Sequence, residues 1–313
     1  MTWLTISLIG YFLLAFSYIL DKALLKRRIP RPAVYAFYVA LLSFLSMFLF
    51  PFGGQWIDWY FFCISIFSGG IFIWGLLFYY YAVKKNEISR VAPLVGSVVQ
   101  ITTFLLAIIF LNKQLATSGV FGIILLIIGG FLISFDLPLK YKKLIKGVKF
   151  SFLSGIMLGL SFSFFDYIYN YLGNNIGGDY IFINGFMWTR FGLFIGGLSL
   201  LLIKKYRKNI LNSFLKKDET NKKQRSAKTI FYFSLNKIFG GISSVLINYA
   251  ILLGGASMVQ AVSSVQFVFV LLLASLMMKK YPTIFDEKLY FWDWVQKIGA
   301  IFLIIIGVFL INK

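Results

Sequence analysis

Two cations stand where the chain is otherwise apolar. Arg190 lies about ten residues into a run that starts near Tyr180, and Lys237 about eight residues into the run from 230. At 1.5 Å per residue these depths are roughly 15 Å and 12 Å, so Arg190 reaches the middle of a hydrocarbon core about 30 Å thick. A central Arg or Lys costs roughly 2.5–3.5 kcal/mol on insertion scales, which calls for a partner. No Asp or Glu occurs at the depth of Arg190 in any apolar run. Backbone carbonyls, water in a cavity, or an anionic group remain. The planar guanidinium fork matches a carboxylate or phosphate through two parallel hydrogen bonds, and Lys237 adds a point charge whose long stem can also snorkel toward the interface. Together they describe a site of positive potential for a carboxylate- or phosphate-bearing compound.

The neutral polar residues in apolar runs are few, and each needs a partner or water. Gln100, Asn248 and Gln266 are candidates to line the same site, and interhelical hydrogen bonding explains these amides equally well. Trp74, in the third run, is an aromatic candidate. Asp21 and Asp166 fall near the ends of their runs, where gating or interfacial hydrogen bonding is expected.

The elements that position these residues are set by composition. Hydrophobic residues make up 59% of the chain and the mean hydropathy is +0.83, well beyond a soluble domain. Ten apolar runs have the length needed to cross a bilayer: roughly 2–20, 33–52, 59–82, 89–112, 116–135, 149–170, 180–203, 230–252, 257–278 and 296–312. One cysteine, Cys63, excludes an intrachain disulfide framework, and the absence of histidine removes the commonest proton shuttle and metal ligand. No nucleophile elbow or intramembrane carboxylate pair is present, so no enzyme activity, metal or cofactor is expected.

The runs divide five and five. Tyr81-Ala82 aligns with Tyr249-Ala250, and Ser89-Arg90-Val91 with Ser257-Met258-Val259. Gly10 and Asp21 recur at the same spacing as Gly155 and Asp166, and the stretch from Gly122 repeats from Gly299. An odd number of spans per copy makes the copies run in opposite senses, the inverted-repeat plan of many secondary transporters. Within the hairpin at 79–115, Ser89 is expected to cap the fourth helix and Pro93 to fall in its first turn. The order Tyr-Ala-Lys, polar turn, Ser-x-Val-Ala-Pro-Leu and then an apolar helix resembles the EamA family of the drug/metabolite transporter superfamily. The likeness extends over nearly all 313 residues. Where that family closes the helix on Gly-Glu, this chain has Asn112-Lys113, and Lys279-Lys280 in the second copy. The resemblance implies an all-α integral membrane protein of ten transmembrane helices in two inverted five-helix repeats, exporting a small metabolite such as an amino-acid-like compound. A lipid-linked sugar carrier or a non-transporting scaffold of the same superfamily is the alternative. A lipid carrier would open a groove toward the bilayer.

Charge sets the orientation. All but four of the 31 Lys and Arg lie after runs one, three, five, seven and nine; the exceptions are Lys113, Arg190, Lys237 and Lys313. By the positive-inside rule those loops are cytoplasmic and both termini external, the reverse of the usual family drawing. The net charge of +20 is thereby a matter of topology and not of nucleic-acid binding. The expected organisation is a first repeat at 1–138, a basic linker at 139–148, and a second repeat at 149–313 carrying a basic loop at 204–228 that meets anionic headgroups. The segment from Tyr281 with Tyr290, Phe291, Trp292 and Trp294 reads as an interfacial aromatic belt. The Gly155/Gly159 and Gly192/Gly196 pairs read as helix-packing positions. Expected partners are a small-molecule substrate and the lipid bilayer of a cell membrane; the sequence leaves the oligomeric state open. A central cavity is expected between helices one, three, four, six, eight and nine, with helices two and seven as outer walls contributing single residues.

Overall fold

The structure, a computed structural model, describes residues 2–110, 116–134, 141–175, 180–215, 226–281 and 291–311. Asn112, Lys113, Asp218, Tyr290 and Lys313 lie outside the described residues, as do the side chains of Lys279, Lys280 and Phe291. Every regular element among the described residues is helical: α1 (Trp3–Arg27), α2 (Pro32–Ser43) continued by a 3-10 stretch (Phe44–Phe52), α3 (Trp59–Lys85), α4 (Ile88–Ile109), α5 (Thr117–Ser134), α6 (Tyr141–Asn175), α7 (Tyr180–Ser199), α8 (Lys204–Leu215), α9 (Ala227–Gly254), α10 (Ala256–Val262), α11 (Ser264–Lys280) and α12 (Phe291–Ile311). Ten of the resulting rods are long and apolar enough to cross a membrane, with α10 and α11 counting as one and α8 as none. The chain is therefore a multi-pass membrane protein, with large apolar side chains such as Phe48, Phe110 and Phe302 exposed on its outside.

Helix packing brings residues far apart in sequence to one centre. α1 lies along α9, α3 along α6 and α7, α4 along α6, and α5 along α12. Small residues permit the closest approaches. A Cβ on Gly192 would run into the backbone oxygen of Ser65 in α3, and one on Gly155 would stand 2.5 Å from Val98 Cβ in α4. The inner surfaces form one large core around Tyr11, Tyr79, Tyr80, Phe165 and Val270, and two smaller ones, under α5 and α12 around Leu126 and Ile304 and between α3, α6 and α7 around Phe61, Leu172 and Met187.

Local chemistry differs from expectation at three points. α4 begins at Ile88 with Glu87 as its N-cap, so Ser89 is already inside the helix and Pro93 lies in the second turn. Glu87 ends in an ion pair with Arg90 Nε at 2.7 Å, where a capping side-chain bond was expected from Ser89. Second, α1 runs seven residues past the expected end at 20 because Asp21 and Lys22 turn inward: each is 4% exposed. Lys22 Nζ donates to the carbonyl of Val83 at 2.8 Å and also to that of Asn86, at the end of α3. Third, two spans are broken. The second leaves α geometry at Phe44, and the ninth starts after Gly255, at a φ of 78° that an L side chain rarely adopts, and kinks at Ser263.

Candidate functional site

A cavity of about 790 Å³ opens inside the bundle, lined by α1, α2 with its 3-10 continuation, α3, α4, α6, α7, α9, α10 and α11. The second span supplies a whole wall of it. Val39, Leu42, Ser43, Leu45, Ser46 and Leu49 all face the space, where single residues were expected. The register explains this, because in a 3-10 turn positions three apart eclipse, so that Ser43, Ser46 and Leu49 stack along one edge.

Arg190 stands on α7 at mid-length and is only 7% exposed. Its guanidinium carbon lies 4.9 Å from the centre of the Phe186 ring, 5.7 Å from Phe165 and 5.9 Å from Phe72, a three-sided aromatic cradle. Among the described residues it makes no hydrogen bond or ion pair, and its Nε is buried without an acceptor. Other donors facing the cavity share this condition: Tyr79 Oη, Ser243 Oγ and Gln260 Nε2 have no partner among the described residues. A buried polar hydrogen left unbonded costs about 1–3 kcal/mol, more for a charged group, so Arg190 carries the largest unmet demand for an acceptor among these donors.

Lys237 is satisfied differently. Its Nζ stands 3.7 Å from Asp21 Oδ1 and over the rings of Tyr35 and Phe233 at 4.7 Å and 5.3 Å. Asp21 also accepts from Tyr35 Oη and from Asn236 Nδ2 at 2.6 Å, while Asn236 Oδ1 takes a bond from Ser17 Oγ. The Asp21 carboxylate is thus no surface gate. It is the inner counter-charge of Lys237, joining α1, α2 and α9, and both residues line the cavity. Asp166 likewise faces inward: its Oδ2 accepts the Ala256 amide at 3.1 Å, placing negative charge at the N-terminus of α10.

Of the six residues singled out by sequence, Arg190, Lys237, Asn248 and Gln266 line the cavity and Gln100 and Trp74 do not. Gln100 Nε2 donates to the Ala261 carbonyl at 3.2 Å and to the Ser263 and Ser264 hydroxyls at 3.1 Å and 2.7 Å, tying α4 to the kink in the ninth span. Trp74 Nε1 donates to Ser199 Oγ at 3.0 Å. Asn248 donates to the Ser244 carbonyl at 2.8 Å and receives Tyr169 Oη at 3.5 Å. Tyr79 and Tyr80, which the third run offered beside Trp74, do line the cavity, whereas sequence reasoning passed over Ser243 and the inward role of Asp21. The signal for Asp21 was its recurrence as Asp166, a repeated carboxylate that two unrelated span ends would not need.

No protein-family description and no curated protein matches this chain. Solved structures do. One, described only as the crystal structure of a protein, aligns at a TM-score of 0.64 and 13% identity over 98% of this chain and 96% of its own. At that identity the likeness is one of fold alone.

Proposed function

We propose that this chain is a secondary transporter of the EamA type that moves a small anionic metabolite outward by alternating access between two inverted five-helix repeats. One observation carries the reading: a mid-membrane guanidinium, buried among aromatic rings and without a protein acceptor among the described residues, faces a cavity enclosed by helices of both halves. Leaving such a charge unmet is costly, and an anionic ligand meets it. A carboxylate or phosphate group would take two parallel bonds from Arg190.

The inverted-repeat part of the proposal is supported by how the helices pair. Exchanging each span with the one five places along turns the α1/α9 contact into the α6/α3 contact, and both are among the most extensive in the molecule. The same exchange turns the α3/α7 seam into an α9/α2 seam, and here the halves differ. α3 and α7 are closed glycine on backbone, whereas α2 and α9 stand apart around the cavity. Alternating access would interchange a closed and an open seam of this kind.

The test is transport in proteoliposomes, read as charge displacement on a supported membrane while carboxylates and phosphate esters are perfused in turn. Arg190→Gln should abolish the response to the active anion and leave the protein folded; Arg190→Lys should restore only part of it, because a point charge cannot form the fork. A normal response from Arg190→Gln would overturn the proposal.

A further inference from the structure

The cavity does not end at protein on every side. Its inner wall is buried: Tyr11 is 2% exposed, Leu158 8% and Arg190 7%, so facing the cavity does not by itself expose a side chain. On two facing edges the lining residues are nevertheless open. Leu42 and Leu45 on the second span are 37% and 54% exposed, and Ile238 and Val245 on α9 are 57% and 40% exposed. Between the latter two lies Gly241, exposed, where an added Cβ would meet no atom within 4 Å. These edges are at mid-membrane. Leu42 lies about ten residues beyond Pro32 and Ile238 about eleven beyond Ala227, some 15 Å along each helix, the same depth as Arg190 on α7.

Aromatic contacts bound the gap at both ends. Toward the start of α9, Phe233 meets Tyr35 and Tyr38 edge-on at 5.6 Å and 6.0 Å. Toward its other end, Tyr249 meets Phe182 of α7 at 5.2 Å. What lies between is a window whose exposed edges are Leu42, Leu45, Ile238 and Val245, with Ser43, Ser46 and Lys237 beside them, and behind it the cavity lining holds two cations, Lys237 paired with Asp21 and Arg190 with no acceptor among the described residues.

We infer that the ligand of this site is an anionic amphiphile: a phosphate or carboxylate head enters the cavity from the bilayer and settles against Arg190, while its hydrocarbon tail stays in the window between α2 and α9. This rests on the anion reading of Arg190 and adds to it the route and the tail. An apolar tail in the window removes no polar group from water and keeps its contact with lipid, while the head meets the guanidinium.

The same head with and without tails separates the two sources. Binding of dioctanoyl phosphatidic acid and of sn-glycerol 3-phosphate to the purified full-length chain in detergent is measured by titration calorimetry. The wild type should hold the diacyl compound at least about tenfold tighter, and Arg190→Gln should weaken both by about tenfold or more. Gly241→Trp, which fills the window from a position with free space, should weaken only the diacyl compound by about tenfold and leave glycerol 3-phosphate within about twofold. Ile238→Trp, on the same edge, repeats the measurement should Gly241→Trp misfold. Equal affinity for the two compounds, or a diacyl affinity that neither tryptophan alters, would overturn the lateral route while the anion site stands. Binding of both compounds that ignores Arg190→Gln would remove the anion site and this inference with it.

Discussion

Neutralising Asp21 tests whether the polar cluster between α1, α2 and α9 acts as a unit. At 3.7 Å and an effective dielectric constant near 20, the Lys237–Asp21 attraction is about 4 kcal/mol before desolvation. Desolvation offsets much of this in the intact pair, but removing one member leaves the other charge stranded, which costs about 3–5 kcal/mol in a fully buried site. Lys237 keeps 20% of its side chain exposed, so Asp21→Asn should fall at the low end, about 2–3 kcal/mol. At about 2–4 °C per kcal/mol that is a fall of roughly 5–10 °C in Tm, read by fluorescence-detected gel filtration after heating in detergent. Lys237→Met should lose less, about 1–2 kcal/mol, because Asp21 still accepts from Tyr35 and Asn236. The double variant then carries the decision. It should be no less stable than Asp21→Asn alone, giving a coupling of about 1–3 kcal/mol. Losses that simply add would refute the pair as a stabilising contact and return Asp21 to an isolated polar position.

Gly192→Val should disrupt the α3/α7 seam, where even a methyl meets Ser65 backbone; overpacking of about 1–3 kcal/mol or more should appear as loss of the monodisperse peak in gel filtration. Gly70→Ala is the control, since its Cβ meets no atom within 4 Å and the peak should stay. Reporter fusions after Asp218 and at the C-terminus should give opposite signals, cytoplasmic and external; matching signals would refute the orientation read from the Lys and Arg distribution.

The ten spans were legible because bilayer thickness fixes their length and hydrophobicity their position, and neither depends on what packs against what. Arg190 was legible for the same reason: a charge at mid-depth is conspicuous in an apolar run. Asp21 was misplaced because hydropathy treats a carboxylate near a run's end as interfacial, and its partners are 14 and 215 residues away on other helices. Gln100 shows the converse. An amide in a span announces that a partner exists without saying whether the partner is a ligand or, as here, the carbonyl and hydroxyls at a kink. The 3-10 stretch of the second span left little trace in FLSMFLFPF beyond Pro51, which interrupts an α ladder without dictating what replaces it.

That stretch makes the second span adjustable in a way a straight rod is not. Nine residues at about 2.0 Å reach about 18 Å, whereas the same nine as α-helix reach about 13.5 Å. Each residue also turns about 120° in one winding and about 100° in the other, a difference that accumulates to about half a revolution over the stretch. None of the nine side chains is fully buried, and the contacts that hold the stretch, such as Phe44 on Phe194 and Met47 against the cluster around Met187 and Trp188, lie along α7. Rewinding would shorten the wall by about 4 Å and turn its far part most, carrying Leu49 about 120° around the axis and Ser46 only about 60°. The wall of the cavity is in this sense a screw thread, whose pitch sets both its height and the chemistry it presents.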